Sequence, residues 1–538
     1  MNNKFDYIIV GAGTAGCVLA NRLSADVENS VLLIEAGGSD KKLLIKTPGA
    51  YPQNFKTNYD WGFWSEPQEH IDNRKIYLPR GKVFGGCSSI NAMAYVRGNK
   101  ADYDGWAAMG NKGWSYEEVL PYFIKSEHND VIDQLDEGYH GTNGELNVTH
   151  NEYYRTPLAE AFVEAGKQMG YPENKDYNGK AQKGVGYFQV NIKQGKRHSA
   201  AVAFLYPALK RSNFTARRNC LVTKVMLEND VAKGVEFLAG KKTEKAYANK
   251  AVILAAGAFN SPQILMLSGI GDPGKLSKHG IQTKQALPGV GQNLQDHLFF
   301  QVSASASKNT GVNRFLHGLP EIGALLQYLF TGKGPTSMGP LEAVIFSNID
   351  GKDAPANFQY HFVPFHVGKD YDYDAYDKST FPKSDGFTIL PSLLHPKSRG
   401  YVELRSGDPK APPVIQPNFF SEEEDLLTLV KGTKKALELI NAPAFDPYRK
   451  EILAPHDHSS DEAIIKHIKK AVETIYHPVG TCKMGDDEMA VVDNQLRVHG
   501  IENLFVADAS IMPKIVTGNT NAPVNMIAEK ASDMILAL

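Results

Sequence analysis

Short apolar runs that stop abruptly at a glycine or an acid recur along this chain. Tyr7-Ile8-Ile9-Val10 runs into Gly11-Ala12-Gly13-Thr14-Ala15-Gly16, and Val31-Leu32-Leu33-Ile34 stops at Glu35. Ala251-Val252-Ile253-Leu254-Ala255-Ala256 stops at Gly257, and Leu504-Phe505-Val506-Ala507 stops at Asp508. Continuous apolar runs of this length predict strands buried on both faces, as in a parallel sheet. After the first run, Val18, Leu19, Arg22 and Leu23 recur at helical spacing and predict a helix over 14–25. Near the C-terminus Val524, Ile527, Ala528, Ala531 and Ile535 do the same. Pro523 sits in the first turn, so a helix is expected to start at Asn521. Phe358–Val363 and Gly400–Leu404 are rich in β-branched and aromatic residues and predict further sheet. The fold class is α/β, with a Rossmann-type unit at the N-terminus and a second, α+β region.

At 538 residues the chain is too long for one compact core, and two domains are expected. With 42% apolar residues, 22% charged and a net charge of −2, the composition is that of a soluble globular protein and gives no reason to expect nucleic acid. Cys17, Cys87, Cys220 and Cys482 show no CxxC spacing, so free thiols in a reducing, cytoplasmic setting are expected, with no metal. The first strand begins almost at once, so no signal peptide is expected. No apolar stretch reaches the about 20 residues of a spanning helix. Ile322–Phe330, interrupted by Gln327, reads as a packed or surface helix. Peripheral membrane contact is left open.

Gly11, Gly13 and Gly16 fit G-x-G-x-x-G between strand and helix. Gly11 permits the tight turn, Gly13 lets backbone approach a pyrophosphate, and Gly16 lets helix and strand pack closely. The helix N-terminus offers free N–H groups and partial positive charge to phosphate. Glu35 stands where an acid bonds a ribose hydroxyl. Two more strand ends, at Gly257 and Asp508, and the glycine- and serine-rich stretch Pro79–Ala92 favour FAD over NAD, because a long cofactor needs contacts from scattered segments.

Two segments carry a family resemblance: Gly81-Lys82-Val83-Phe84-Gly85-Gly86-Cys87-Ser88-Ser89-Ile90-Asn91 and Gly257-Ala258-Phe259-Asn260-Ser261-Pro262-Gln263-Ile264-Leu265-Met266-Leu267-Ser268-Gly269-Ile270-Gly271. With them the chain resembles the glucose–methanol–choline (GMC) oxidoreductases over nearly its whole length. Asn293–His297, Pro396–Gly400 and Ile475–Thr481 place it nearest the branch of bacterial alcohol and choline dehydrogenases. The resemblance implies a discontinuous FAD domain (1–149, 196–305 and 463–538) and a substrate domain (150–195 and 306–462). It implies FAD contacts from Gly11, Gly13, Thr14, Ala15, Gly16, Glu35, Ala36, Gly81, Val83, Gly86, Asn91, Ala92, Met93, Val222, Gly257, Asp508, Ala509, Asn519, Ala522 and Pro523. Some members attach FAD covalently to a histidine that aligns with Ile90. Isoleucine has no nucleophile, so non-covalent FAD is expected.

Alcohol oxidation by a flavin needs the hydroxyl proton removed and a hydride passed to flavin N5. Histidine suits the first task, since its unperturbed pKa of about 6.5 lies near working pH. Among 16 histidines, His477 matches the family's catalytic one by context. Asn521 is expected where the family carries a second His or Asn, holding the substrate oxygen without acting as a base. Glu342 and His361 align with pocket positions of choline-oxidising relatives, and a buried Glu342 would pair a trimethylammonium head. His297 reads as structural. The Asp/Tyr-rich stretch 369–378 reads either as a solvated loop or as a rim over the substrate entrance. The expected function is oxidation of a primary alcohol (aliphatic, aromatic, polyether or choline) with electrons passed to a quinone-like acceptor. An O₂-using oxidase, a lyase and a flavin photodecarboxylase are the alternatives on this scaffold.

Overall fold

The computed structural model describes residues 3–537 except 151, 352, 370, 372 and 375. Four of the predicted strands form the heart of one sheet. Lys4–Val10 pairs in parallel with Val31–Ile34 on one side and Lys242–Leu254 on the other. Phe214–Arg217 extends the first side and Leu504–Val506 the second, both parallel. The long Lys242–Leu254 strand also starts an antiparallel meander with Val231–Ala239 and Cys220–Glu228. The chain therefore adds strands outward on one side of Lys4–Val10, through Val31–Ile34 and Phe214–Arg217, and then returns to its other side with Lys242–Leu254, so the strand order reverses there. Such a switch point opens a crevice at the carboxyl ends of the strands. The loop after Val10 and the one after Leu254 meet there.

The helix Thr14–Leu23 packs on this sheet and against the C-terminal helix Asn521–Leu536. A cation explains one position on its packed face. Arg22 bonds Glu529 at 2.7 Å and Glu145 at 2.6 Å, joining the two helices through charges largely removed from water. A buried pair of this kind ties helices together in one register at a desolvation cost its hydrogen bonds must offset.

The second sheet is antiparallel. Its order is Arg449–Ala454, Val302–Ala306, Gly386–Leu393, Phe358–Val363, Ala343–Ser347 and Gly184–Tyr187. Leu298–Phe299 pairs with Gly386–Leu393 and with Glu473–Thr474. The amphipathic helices Glu423–Ile440 and Pro157–Gln168 pack against these strands. Leu298–Phe299, Val302–Ala306 and Glu473–Thr474, which lie in segments expected with the FAD region, are strands of this second sheet. The stretch around Tyr401–Glu403 is strand as expected, but it forms a separate two-stranded ribbon with Val414–Gln416. Ile322–Phe330 lies in a surface helix, Gly318–Thr331.

Candidate active site

A cavity of about 790 Å³ runs from the switch point to the second sheet. Its deep end is built from the first loop. Gly11 has φ +98°, and a Cβ on Gly16 would lie 1.8 Å from the Gly11 carbonyl oxygen, so glycine is required for the helix to start this close to the strand. Gly13, Thr14 and Ala15 line the cavity. That helix has no side-chain cap and no acid in its first turn. Its free N–H groups thus face the cavity with nothing of the protein's own to neutralise them. Glu35 is buried, and its carboxylate accepts from Ala12 N (2.8 Å) and Gly37 N (2.7 Å). Burial pushes its pKa up to about 7 while those two bonds oppose the rise.

A second uncapped helix reaches the same cavity. Asn521–Leu536 also has no side-chain cap and no first-turn acid, and Asn519, Thr520, Asn521 and Val524 line the space in front of it. The Thr14 hydroxyl donates to Asn521 Oδ1 at 2.8 Å, pinning one helix start to the other. Two partial positive charges therefore converge on one cavity. The loop at Gly81–Ala92 closes it, with Gly86 so near Gly13 that a Cβ would sit 2.7 Å from the Gly13 Cα. Two helix N-termini, a buried acid at the end of the second strand and a cavity that runs past both make a chemically fitting seat for an anionic dinucleotide such as FAD.

Sixteen of the twenty residues expected at FAD line this cavity. The four that do not are Gly16, Val83, Ala522 and Pro523. Gly16 acts on packing alone. Val83 is buried in a bridge to Gly38. Ala522 and Pro523 are buried in the first helical turn behind Asn521. Ile90 lines the cavity and carries no group able to attach a cofactor.

His477 lies where this space meets the aromatic residues Phe55, Tyr376 and Tyr476. Its backbone is held in place from several sides. Its N–H donates to Asp296 Oδ1 at 2.7 Å, Tyr476 before it has φ +68°, and Arg80 donates to the Tyr476 carbonyl at 2.6 Å. A non-glycine residue in the left-handed region costs free energy that surrounding bonds must offset. The ring is wired too. His297 Nε2 lies 2.9 Å from the Leu394 carbonyl, which can only accept, so this nitrogen carries the hydrogen. In the neutral ring His297 Nδ1 is then an acceptor, and it lies 3.1 Å from His477 Nδ1. His477 therefore carries its hydrogen on Nδ1, and its Nε2 presents a lone pair. The amide Nδ2 of Asn519 lies 3.1 Å from that Nε2. Burial, followed by the neighbouring His297, His361 and Arg80, pushes the His477 pKa well below 6.5, so the ring is neutral at ordinary pH.

The structure places three of the expected site residues as follows. The asparagine beside His477 is Asn519, whereas Asn521 faces Thr14. A two-residue step decides it, because residue 519 precedes the helix and 521 already belongs to its first turn. Glu342 is buried but does not line the cavity. Its carboxylate accepts from the backbone N–H (2.8 Å) and hydroxyl of Thr156, the residue that starts the helix Pro157–Gln168. Burial pushes its pKa up to about 7. His361 does not line the cavity either. It stacks on Phe188 at 5.7 Å and bonds Ser392 at 3.2 Å.

His297, read as structural from sequence, touches His477 directly; its place in Asn293–His297 gave no signal of that. Arg197, which no sequence motif marks, is buried and donates to Asn91 Oδ1 at 2.8 Å beside the cavity. Of the Asp/Tyr-rich stretch, Asp370, Asp372 and Ala375 lie outside the described residues. Tyr373, Tyr376 and Lys378 line the cavity, and the Tyr376 and Tyr476 hydroxyls are 2.8 Å apart. The stretch thus contributes a wall.

Comparison with known proteins agrees with this architecture. The N-terminal GMC oxidoreductase model matches residues 5–299 and the C-terminal one residues 396–528. The oxygen-dependent choline dehydrogenase of Sinorhizobium medicae is 43% identical over 99% of this chain and 95% of its own length. That of Rhizobium etli is 44% identical, with the same coverage. Among solved structures, pyridoxine 4-oxidase from Mesorbium loti superposes with a TM-score of 0.88 at 30% identity, covering 98% of both chains. A formate oxidase from Aspergillus oryzae, studied for its FAD modification, gives 0.92 at 29% identity over 99% of this chain and 98% of that one. The chain belongs to the GMC oxidoreductase family, and it is an FAD-dependent oxidoreductase acting on CH–OH groups.

Proposed function

We propose that this enzyme oxidises a primary alcohol with a neutral, apolar or aromatic body to its aldehyde, with His477 Nε2 as the base. The observation that carries the reading is the chain Leu394 carbonyl, His297, His477, which leaves one unprotonated nitrogen on a neutral buried histidine facing the cavity. The hydroxyl proton passes to Nε2. Asn519 holds the oxygen by donating from Nδ2, which already reaches the same point. Bound FAD supplies the acceptor for the hydride leaving the carbinol carbon. Gly11–Ala15, Glu35 and the start of the C-terminal helix hold the cofactor, and the two helix termini favour the negative charge that oxidation brings to it. Positioning by a base of this kind is worth about 10²–10⁴ in rate.

The preference for a neutral substrate rests on the acids of the cavity. Among the described residues three carboxylates line it. Glu35 is bound by Ala12 and Gly37, Asp508 by Gly257 and Ser261, and Glu321 by Lys378. Glu342, the expected partner of a quaternary ammonium, faces Thr156. A cationic head would meet only aromatic faces, which hold it more weakly than a paired charge does. We further propose a quinone-like electron acceptor, in keeping with the apolar rim at Leu43, Leu316 and Leu325. Anaerobic titration with benzyl alcohol and with choline tests the substrate reading. Faster flavin bleaching by the neutral alcohol at equal concentration supports it, and faster bleaching by choline overturns it. Reoxidation by a soluble ubiquinone analogue should outpace that by dissolved oxygen.

A further inference from the structure

The helix Gly318–Thr331 is built the wrong way round for a packed surface helix. Of its residues only Ala324 and Tyr328 are buried. Leu319, Ile322, Leu326, Leu329 and Phe330 all face water, Leu319 at 83% and Phe330 at 85% exposure. Scattered exposed leucines are ordinary, but a contiguous apolar face on one helix marks a contact surface. Leu325 of this helix and the exposed Leu43 line the mouth of the cavity described above, so the face continues to that opening. No described helix is long and apolar enough to cross a membrane.

The segments bordering the helix are basic. Lys333 follows its C-terminus. The turn carrying Lys193 and Lys196 abuts it, since a Cβ on Gly195 would lie 2.2 Å from the Gly332 carbonyl oxygen. Arg197 of that turn donates to the Ile45 carbonyl at 2.9 Å, which brings in Lys41, Lys42 and Lys46 around Leu43. All six lysines are exposed, and among the described residues none of them is in a salt bridge, although the buried Asp40 acts on Lys41 and Lys46 through space. Of the acids here, Glu321 is held by Lys378, and Glu152 lies beside Tyr153, whose carbonyl accepts from Gly334.

We propose that this face docks the enzyme on an anionic lipid bilayer, with Leu319, Ile322, Leu326, Leu329 and Phe330 entering the interface. An apolar strip beside unpaired lysines matches both layers of such a surface, the acyl boundary and the anionic headgroups. A second copy of the chain matches only the strip, because a two-fold contact through it would bring the lysine groups of both copies together. The cavity mouth would then open at the lipid interface, where apolar alcohols and acceptors partition.

Flotation of the FAD-loaded enzyme with phosphatidylcholine vesicles, with and without phosphatidylglycerol, tests this. The enzyme should float with phosphatidylglycerol vesicles and be released by high salt. The triple variant Leu319→Ser, Leu326→Ser, Phe330→Ser should bind about tenfold less or worse while keeping its flavin and melting temperature. Lys42→Glu with Lys333→Glu, which leaves the helix intact, should weaken binding only where phosphatidylglycerol is present. Absence of binding to either vesicle, or a triple variant that floats like the parent, overturns the proposal. So does a dimer in solution, by light scattering, that the triple substitution dissociates; the occupant would then be a second copy.

Discussion

Which nitrogen of His477 carries a hydrogen is decided one residue away, by His297, and behind it by the Leu394 carbonyl. His297→Phe removes the acceptor on His477 Nδ1 and frees the ring to take the wrong tautomer. Flavin reduction should fall about tenfold or more, with flavin still bound. His297→Gln, which keeps a side-chain oxygen able to accept, should recover part of the loss. Parental rates in both variants would make His297 a packing residue. The two asparagines separate in the same assay. Asn519→Ala should slow reduction more than Asn521→Ala, while Asn521→Ala should loosen flavin by unpinning Thr14. Glu342→Gln should change the KM for choline and for a neutral alcohol alike, since its carboxylate faces a helix start. It should also lower stability by about 1 kcal/mol, the usual worth of such a cap. A KM rise confined to choline would restore it as a substrate residue.

At the scale of elements, the strand–glycine–helix unit was legible because each step leaves its own sequence mark. The apolar run, the glycine spacing and the acid at Glu35 stand where the sheet has them, and the helix Asn521–Leu536 begins where its proline said. What sequence could not supply is direction. Glu342 precedes the strand Ala343–Ser347, and His361 lies in its partner strand. A strand's side chains alternate, so a residue's position in the alignment does not say whether it faces the cavity or the helices behind. The same holds at 519 and 521, where the chain turns from loop into helix. One element-scale expectation follows. Glu35→Ala removes the acceptor of two N–H groups in the loop and the acid proposed to bond the ribose, so flavin retention should weaken by roughly 1.5–3 kcal/mol. Equilibrium flavin dialysis reads this directly, and unchanged retention would take the acid out of the cofactor seat.

Taken as a whole, the molecule joins a mixed sheet, whose parallel strands open a seat for FAD, to an antiparallel sheet across the cavity. The cavity between them is where residues from 11 to 521 meet. FAD held there without a covalent bond should leave the protein on acid precipitation and colour the supernatant. Colour that stays with the washed pellet would contradict this. The central claim is that His477, neutral because it is buried, takes the hydroxyl proton on Nε2. The most direct test is the anaerobic rate of flavin reduction by a saturating neutral alcohol, followed against pH in the parent and in His477→Ala. A histidine whose pKa is pushed below 6.5 loses its base form only as pH falls below that range. The parent's rate should therefore stay level from pH 8 to about 6.5 and fall at lower pH. His477→Ala should keep its flavin, reduce it about 10²-fold or more slowly, and show no such fall. Reduction by His477→Ala at the parent's rate, with the acidic fall intact, would show that the base lies elsewhere.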